Sequence, residues 1–196
     1  MAQKKRAILD AATVLFAEKG YNETSIAELA HITGSAEGTI FYHFKTKNHL
    51  FLAVLSGVKQ GITREFREYV GTHRFKTGLE MIGEVIAFFF YLAAHHEEWF
   101  LLIQRHYPYE LARTNEECRG HLEAIFNTLI DLFEVAIRRG QEDGSIRALP
   151  TRKMALVLFS MVNGLAWLKF HDLYDAASLY QELFAACQKM LVNDNR

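Results

Sequence analysis

Five histidines beyond residue 90, His95, His96, His106, His121 and His171, would matter most if they converged, because imidazole binds transition metals and carries protons near neutral pH. A di-iron helical centre would place Glu-x-x-His on two core helices. The chain has that spacing once, at Glu28 and His31, so no such centre is predicted. Cys118 and Cys187 stand far apart and neither belongs to a C-x-x-C pair, so they read as buried, reduced thiols and not as a disulfide or a zinc site. No Gly-rich phosphate loop and no Ser/His/Asp set accompanies them. The sequence therefore predicts neither an enzyme nor a cofactor or metal site. The chemistry that remains is binding chemistry: hydroxyls, an imidazole and a cation gathered at Thr24, Ser25, Thr39, His43 and Lys47.

Those residues have to be held by helices. The chain has 196 residues, half of them hydrophobic, and only two prolines, Pro108 and Pro150, which favours long helices over a turn-rich β fold. In the first helix Ile8, Ala11, Ala12, Leu15 and Phe16 follow the helical period, and Gly20 supplies the stop. Ser25-Ile-Ala-Glu28 opens the second as a capping box. Gly34 breaks it, and a short third helix runs from about Ala36 to His43. Thr46 is the predicted N-cap of a long fourth helix, with Phe51, Val54, Leu55, Val58, Ile62 and Phe66 in period. Further helical patterns cover residues 78–95, 97–107, 116–139, 151–171 and 176–192. The predicted class is all-α with about nine helices, divided into a three-helix module at residues 1–50 and a larger helical domain at 51–196.

The stretch from Ile26 to His43 has the parts of a helix-turn-helix. Ala30 is small enough for two helices to cross closely, Gly34 tolerates a left-handed backbone in the turn, and Ile40 pins the second helix from inside. That leaves Ala36, Glu37, Thr39 and His43 facing outward, and a helix presented this way fits the major groove. The same spacing also suits an ordinary helical hairpin packed in a core. Charge does not decide between them. The whole chain holds 22 basic against 23 acidic side chains, and residues 1–50 hold six against five. Lys4, Lys5 and Arg6 read either as a solvated terminus or as a short basic arm reaching across a groove.

The residues around the motif break the tie. Thr24-Ser-Ile-Ala-Glu-Leu-Ala30, Gly34, Gly38-Thr-Ile-Phe-Tyr-His-Phe-Lys-Thr-Lys47 and Leu50 resemble the signature of the tetracycline-repressor-like (TetR) family. Ile8 to Phe16 and Gly20 to Ser25 precede it as they do in that family, so the resemblance covers about residues 6–55. It implies that Thr24 or Ser25 touches phosphate at the start of the second helix, where free amides also favour an anion. It implies further backbone contacts from Thr39, His43 and Lys47, and base-edge readout by Ala36, Glu37 and Tyr42. Two positions depart from the family. Phe41 stands where Tyr is usual, and Ser35-Ala36 reverses the commoner apolar-then-Ser order.

In that family the larger domain holds a small-molecule pocket among its central helices. The aromatic residues here imply a hydrophobic or aromatic effector, with Phe89, Phe90, Trp99, Phe126, Phe133 and Trp167 as candidate lining and His106 and Tyr107 as polar anchors. The last two helical patterns offer a dimer face through Met161, Val162, Leu165 and Leu168, then Leu179, Leu183, Phe184, Cys187 and Leu191. Asp10 arrives before any signal-peptide core, and the uncharged apolar run at residues 85–94 is shorter than the roughly 20 residues a bilayer needs. The expectation is a cytoplasmic, homodimeric, ligand-responsive transcriptional regulator without a membrane role. It would be a repressor that a small hydrophobic or aromatic effector releases from double-stranded operator DNA. The alternative is a helical lipid- or ligand-binding protein that needs no DNA.

Overall fold

The computed structural model describes residues 2–72, 74–171 and 174–192. Its helices are α1 (Ala2–Glu18), α2 (Ile26–Thr33), α3 (Glu37–Phe44), α4 (Lys47–Thr72), α5 (Gly78–His95), α6 (Glu97–Gln104), α7 (His106–Leu111), α8 (Glu116–Asp143), α9 (Thr151–Phe170) and α10 (Tyr180–Leu191). A 3₁₀ turn at Ala176–Leu179 leads into α10. Among the described residues the extended pairing is one isolated bridge, Ile146 with Val192, so the all-α class holds. Among the described residues ten α-helices replace the predicted nine, because the 97–107 pattern breaks at Arg105, whose backbone is extended (φ −64°, ψ 153°).

The chain divides into two compact units. One comprises residues 1–63 and 96–125, the other 64–95 and 126–196, so α4 and α8 contribute to both. In the first unit Ile8, Ala12, Leu15 and Phe16 of α1 are buried with Leu29, Ile40, Phe44, Leu50 and Phe51. This is the predicted apolar face of α1 meeting the inner faces of α2, α3 and α4. Arg105 closes the other side: its guanidinium donates to the carbonyl of Ala17 at 2.8 and 2.6 Å and also to that of Glu18. A cation on the last carbonyls of α1 satisfies groups the helix leaves open and complements its dipole.

In the second unit α5 is the core helix, burying Met81, Ile82, Val85, Ile86, Phe88, Phe89, Leu92 and Ala93. Asp143, at the end of α8, caps it by accepting from the Gly78 amide at 2.7 Å. Both α5 and α9 are long and apolar enough, by length and composition, to cross a membrane, which the run at 85–94 alone understated. Half of that stretch of α5 lies in the core of its unit, and it carries Glu80 and Glu84. Only a third of the corresponding stretch of α9 is buried.

Candidate nucleic-acid interface

The interface is built from the caps outward. Ser25, in extended backbone, accepts from the Glu28 amide at 3.0 Å, which is the forward half of the predicted box. Glu28 itself pairs with Lys19, fastening α2 to the end of α1. Gly34 adopts a left-handed conformation (φ 59°) and its amide returns to the Ala30 and His31 carbonyls, so the chain turns sharply into α3. Ala36 is the N-cap of α3 and supplies no side-chain bond; its carbonyl accepts from the Thr39 amide at 2.9 Å. Thr46 caps α4 as expected, accepting from His49 at 3.1 Å. Between α3 and α4 Lys45 takes a positive φ of 57°, a strained conformation for a residue with a side chain.

Ile40 and Phe44 are buried, which turns the rest of α3 outward. Gly38, Thr39, Tyr42 and His43 line an open cleft of about 530 Å³ together with Lys4 of α1. Ala36, Glu37, Phe41 and Tyr42 are exposed, and Thr39 and His43 are half-buried. Gly38 was not among the predicted contacts, and Lys4 was read either as part of a solvated terminus or as part of a short basic arm. Here α1 starts at Ala2, so Lys4, Lys5 and Arg6 form a helical turn and not a free arm. Lys5 sits over the Phe44 ring at 5.7 Å.

Two predicted phosphate contacts are placed differently from one another. Thr24 is 2% exposed and its hydroxyl donates to the Gly20 carbonyl at 2.8 Å and the Leu15 carbonyl at 3.2 Å. That hydroxyl closes the α1–α2 turn and cannot reach phosphate, so of the pair Ser25 is the exposed member. Lys47 is held at the start of α4. Its ammonium lies 4.4 Å from the Tyr21 ring centroid and donates to the Asn22 carbonyl at 3.3 Å. Partial burial pulls its pKa below the usual lysine value, and the nearby Glu23 carboxylate opposes that shift.

The predicted effector residues separate. Trp99, His106 and Tyr107 belong to the first unit; Phe89, Phe90, Phe126, Phe133 and Trp167 belong to the second. Phe89 and Phe126 each make an edge contact with Phe159 at 6.0 Å, while Phe133 is fully buried. Trp167 is 42% exposed on α9, against His171. The His106 side chain is open to solvent beside Glu110, and the Tyr107 hydroxyl donates to Asn48 at 2.7 Å. A groove of about 600 Å³ in the second unit runs instead between α5 and α10, lined by Glu80, Glu84, Tyr180 and Phe184 among others. Cys118 and Cys187 are free and buried, and burial pushes the Cys187 thiol up to about 11. Among the described residues no group of three or more His, Cys, Asp or Glu could hold a metal ion.

A short helix capped by Ser25, a glycine turn and an outward-facing second helix on a buried Ile40 make up a helix-turn-helix DNA-binding module. Residues 8–54 match the family described as bacterial regulatory proteins, tetR family. The fatty acid metabolism regulator protein of Bacillus subtilis is 24% identical over 175 residues, covering 88% of this chain and 87% of that one. The transcriptional regulator QacR of Staphylococcus aureus is 26% identical over 170 residues, covering 82% and 83%. Among solved structures, a transcriptional regulator from Saccharomonospora viridis in complex with choline superposes with a TM-score of 0.82 at 20% identity, covering 98% of this chain and all of that one (100%). FadR from Bacillus subtilis in complex with stearoyl-CoA gives 0.74 at 23% identity, covering 94% and 98%. Residues 8–54 match the model of that family, the chain is similar along most of its length to regulators that carry the same module, and it is a DNA-binding transcriptional regulator. Its relatives are regulators and not enzymes.

Proposed function

We propose that this regulator is a homodimeric repressor that a small hydrophobic or aromatic molecule releases from its operator. DNA reading is assigned to residues 1–50, and effector binding and dimerisation to 51–196. The observation that carries the DNA half is the outward face of α3, where Gly38, Thr39, Tyr42 and His43 share one cleft with Lys4. Ser25, Thr39, His43 and Lys47 take phosphates; Ala36, Glu37 and Tyr42 meet base edges. Glu37 repels phosphate but accepts from a cytosine amine, so it contributes specificity and not affinity.

Relatives of this fold bound to choline and to stearoyl-CoA support the effector half. The aromatic cluster of Phe89, Phe126 and Phe159 in the second unit is the apolar lining such a molecule would meet. Dimerisation is supported by α9. Leu156, Val157 and Trp167 are each more than two-fifths exposed and, with Ser160 and Gly164, fall on one helical stripe. Val162 and Leu165, predicted for that interface, are buried within the unit instead, as are Leu183, Cys187 and Leu191 of α10. Two recognition helices about 34–36 Å apart read successive half-sites of the major groove. An effector releases such a dimer only if it binds the non-operator state more tightly.

A gel shift on the DNA upstream of the protein's own gene, titrated with salt, tests the reading. Specific retention that falls steeply with salt and is abolished by one of a panel of hydrophobic metabolites supports it. Ligand binding without any DNA retention returns the chain to the lipid-binding alternative.

A further inference from the structure

We propose that Tyr107 of α7 is a positioning residue for DNA binding, acting through Tyr21 on the Lys47 ammonium; this rests on the reading of Lys47 as a phosphate contact. The Tyr107 and Tyr21 rings stack at 3.8 Å with an interplanar angle of 5°. Both hydroxyls donate to the same atom, Asn48 Oδ1, each at 2.7 Å. Phe51 meets both rings edge-on, at 5.5 and 5.1 Å. Tyr21 is in the turn between α1 and α2, where no helical ladder fixes its side chain. Its position is set by Tyr107, Asn48, Phe16 and Phe51. The same Tyr21 ring has the Lys47 ammonium over it, 4.4 Å from its centroid.

The physical consequence is preorganisation. A free lysine side chain samples many rotamers and loses that freedom when it meets a phosphate. Lys47 has surrendered much of it beforehand, held by a ring face and by the Asn22 carbonyl. Two donors on Asn48 Oδ1 also raise the demand for order: loss of either phenol leaves the other to hold the amide alone. Burial, and after it the neighbouring Tyr21 phenol, push the Tyr107 phenol well above its ordinary pKa, so the donor is present at any physiological pH. Residue 107 thereby acts on a contact made by residue 47 without touching DNA.

The test measures DNA affinity against salt for Lys47→Ala, Tyr107→Ala, Tyr107→Leu, Tyr107→Phe and the Lys47→Ala/Tyr107→Ala double variant. Lys47→Ala should weaken all sequences about fivefold and reduce the salt slope by about one. Tyr107→Ala and Tyr107→Leu should reproduce that fall in slope, and Tyr107→Phe, which keeps the stacked ring, should recover most of it. Adding Tyr107→Ala to Lys47→Ala should cost nothing more. Tyr107→Leu keeps an apolar contact on Phe51 and serves if the alanine variant does not fold. An unchanged slope in Tyr107→Ala and Tyr107→Leu, or a fully additive double variant, overturns the proposal while leaving the Lys47 reading intact. An unchanged slope in Lys47→Ala overturns that reading and the proposal with it.

Discussion

Trp99 of α6 lies so close to Gly61 of α4 that a Cβ placed on the glycine would fall 2.3 Å from the ring's Cη2 and 2.7 Å from its Cζ2. The indole is held there by His96, stacked on it at 3.8 Å and 4°. Trp99 was expected to line an effector pocket, but its ring is spent on the α4–α6 crossing. Gly61→Ala gains about 1 kcal/mol of helix propensity and loses about 1–3 kcal/mol to overpacking, so thermal melts should show a net loss of stability. Gly57, one turn earlier, has nothing within 4 Å of its virtual Cβ, and Gly57→Ala should stabilise by about 0.5–1 kcal/mol. Equal gains at both positions would mean that the indole does not sit there.

Glu37 is exposed in the first turn of α3. Glu37→Ala should leave the melting temperature unchanged and strengthen non-specific binding, because one negative charge leaves the phosphate-facing side. Base preference should relax at one operator position, by about 1–3 kcal/mol if the carboxylate accepts from a cytosine amine. A selection from random duplexes reads this directly. A uniform change across all sequences would take Glu37 out of base readout.

Much of the DNA-binding module was legible because its determinants are local. Ser25, Gly34 and Thr46 act within one turn of their own position, and each does in the structure what its residue type dictates, while Ile40 is buried as its apolar side chain requires. The break at Arg105 was not legible. Apolar periodicity continues from Phe100 through Ile103 to Tyr107, and what ends α6 there accompanies a side chain reaching the carbonyls of Ala17 and Glu18, far away in sequence. Thr24 misled for a similar reason: a hydroxyl at a helix start reads as a phosphate ligand until its acceptors in the preceding turn are seen. The aromatic residues were the least legible, since Phe133 in a core, Trp99 at a helix crossing and Trp167 on a surface have the same sequence signal.

Arg105 itself yields a stability prediction. Arg105→Gln removes a charge-assisted clamp on the end of α1 and should cost about 1 kcal/mol, the lower part of the range for such bonds because the side chain is solvent-exposed. Arg105→Lys should recover only part of it, since an ammonium does not present the guanidinium's fork to two successive carbonyls. Denaturant midpoints at neutral pH separate the three proteins. A lysine variant equal to the parent would reduce the clamp to a simple charge effect.

Acid should loosen the second unit first where α8 meets α5. Asp143 accepts from the Gly78 amide at 2.7 Å and the Ser145 amide at 2.9 Å, and the Ser145 hydroxyl accepts from Leu79 at 3.2 Å. The bond with Ser145, then those with the backbone amides and the Arg139 charge, hold the Asp143 carboxyl below its ordinary value despite some desolvation. Its contribution is therefore complete above the unfolded value of about 3.9 and is lost as pH falls through the lower folded value. Asp143→Asn should be less stable than the parent at pH 7, and the difference should shrink below about pH 4. A difference that grows on acidification would reverse the assigned direction.

The exposed stripe of α9 gives the last prediction. Leu156 is 43%, Val157 45% and Trp167 42% exposed, an unusual concentration of apolar surface for one helix of a folded unit. Gly164 lies between them with nothing within 4 Å of its virtual Cβ, so the backbone is open to close approach there. If a second copy covers the stripe, Val157→Glu places a carboxylate in a desolvated two-fold contact, where it meets its own symmetry mate. Sedimentation should show the variant as a monomer, with a circular dichroism spectrum like the parent's because the side chain was never part of the unit's core. Its affinity for a two-half-site operator should fall towards that for a single half-site, since the linkage between the two heads is gone. A Val157→Glu protein that remains dimeric would move the interface off α9.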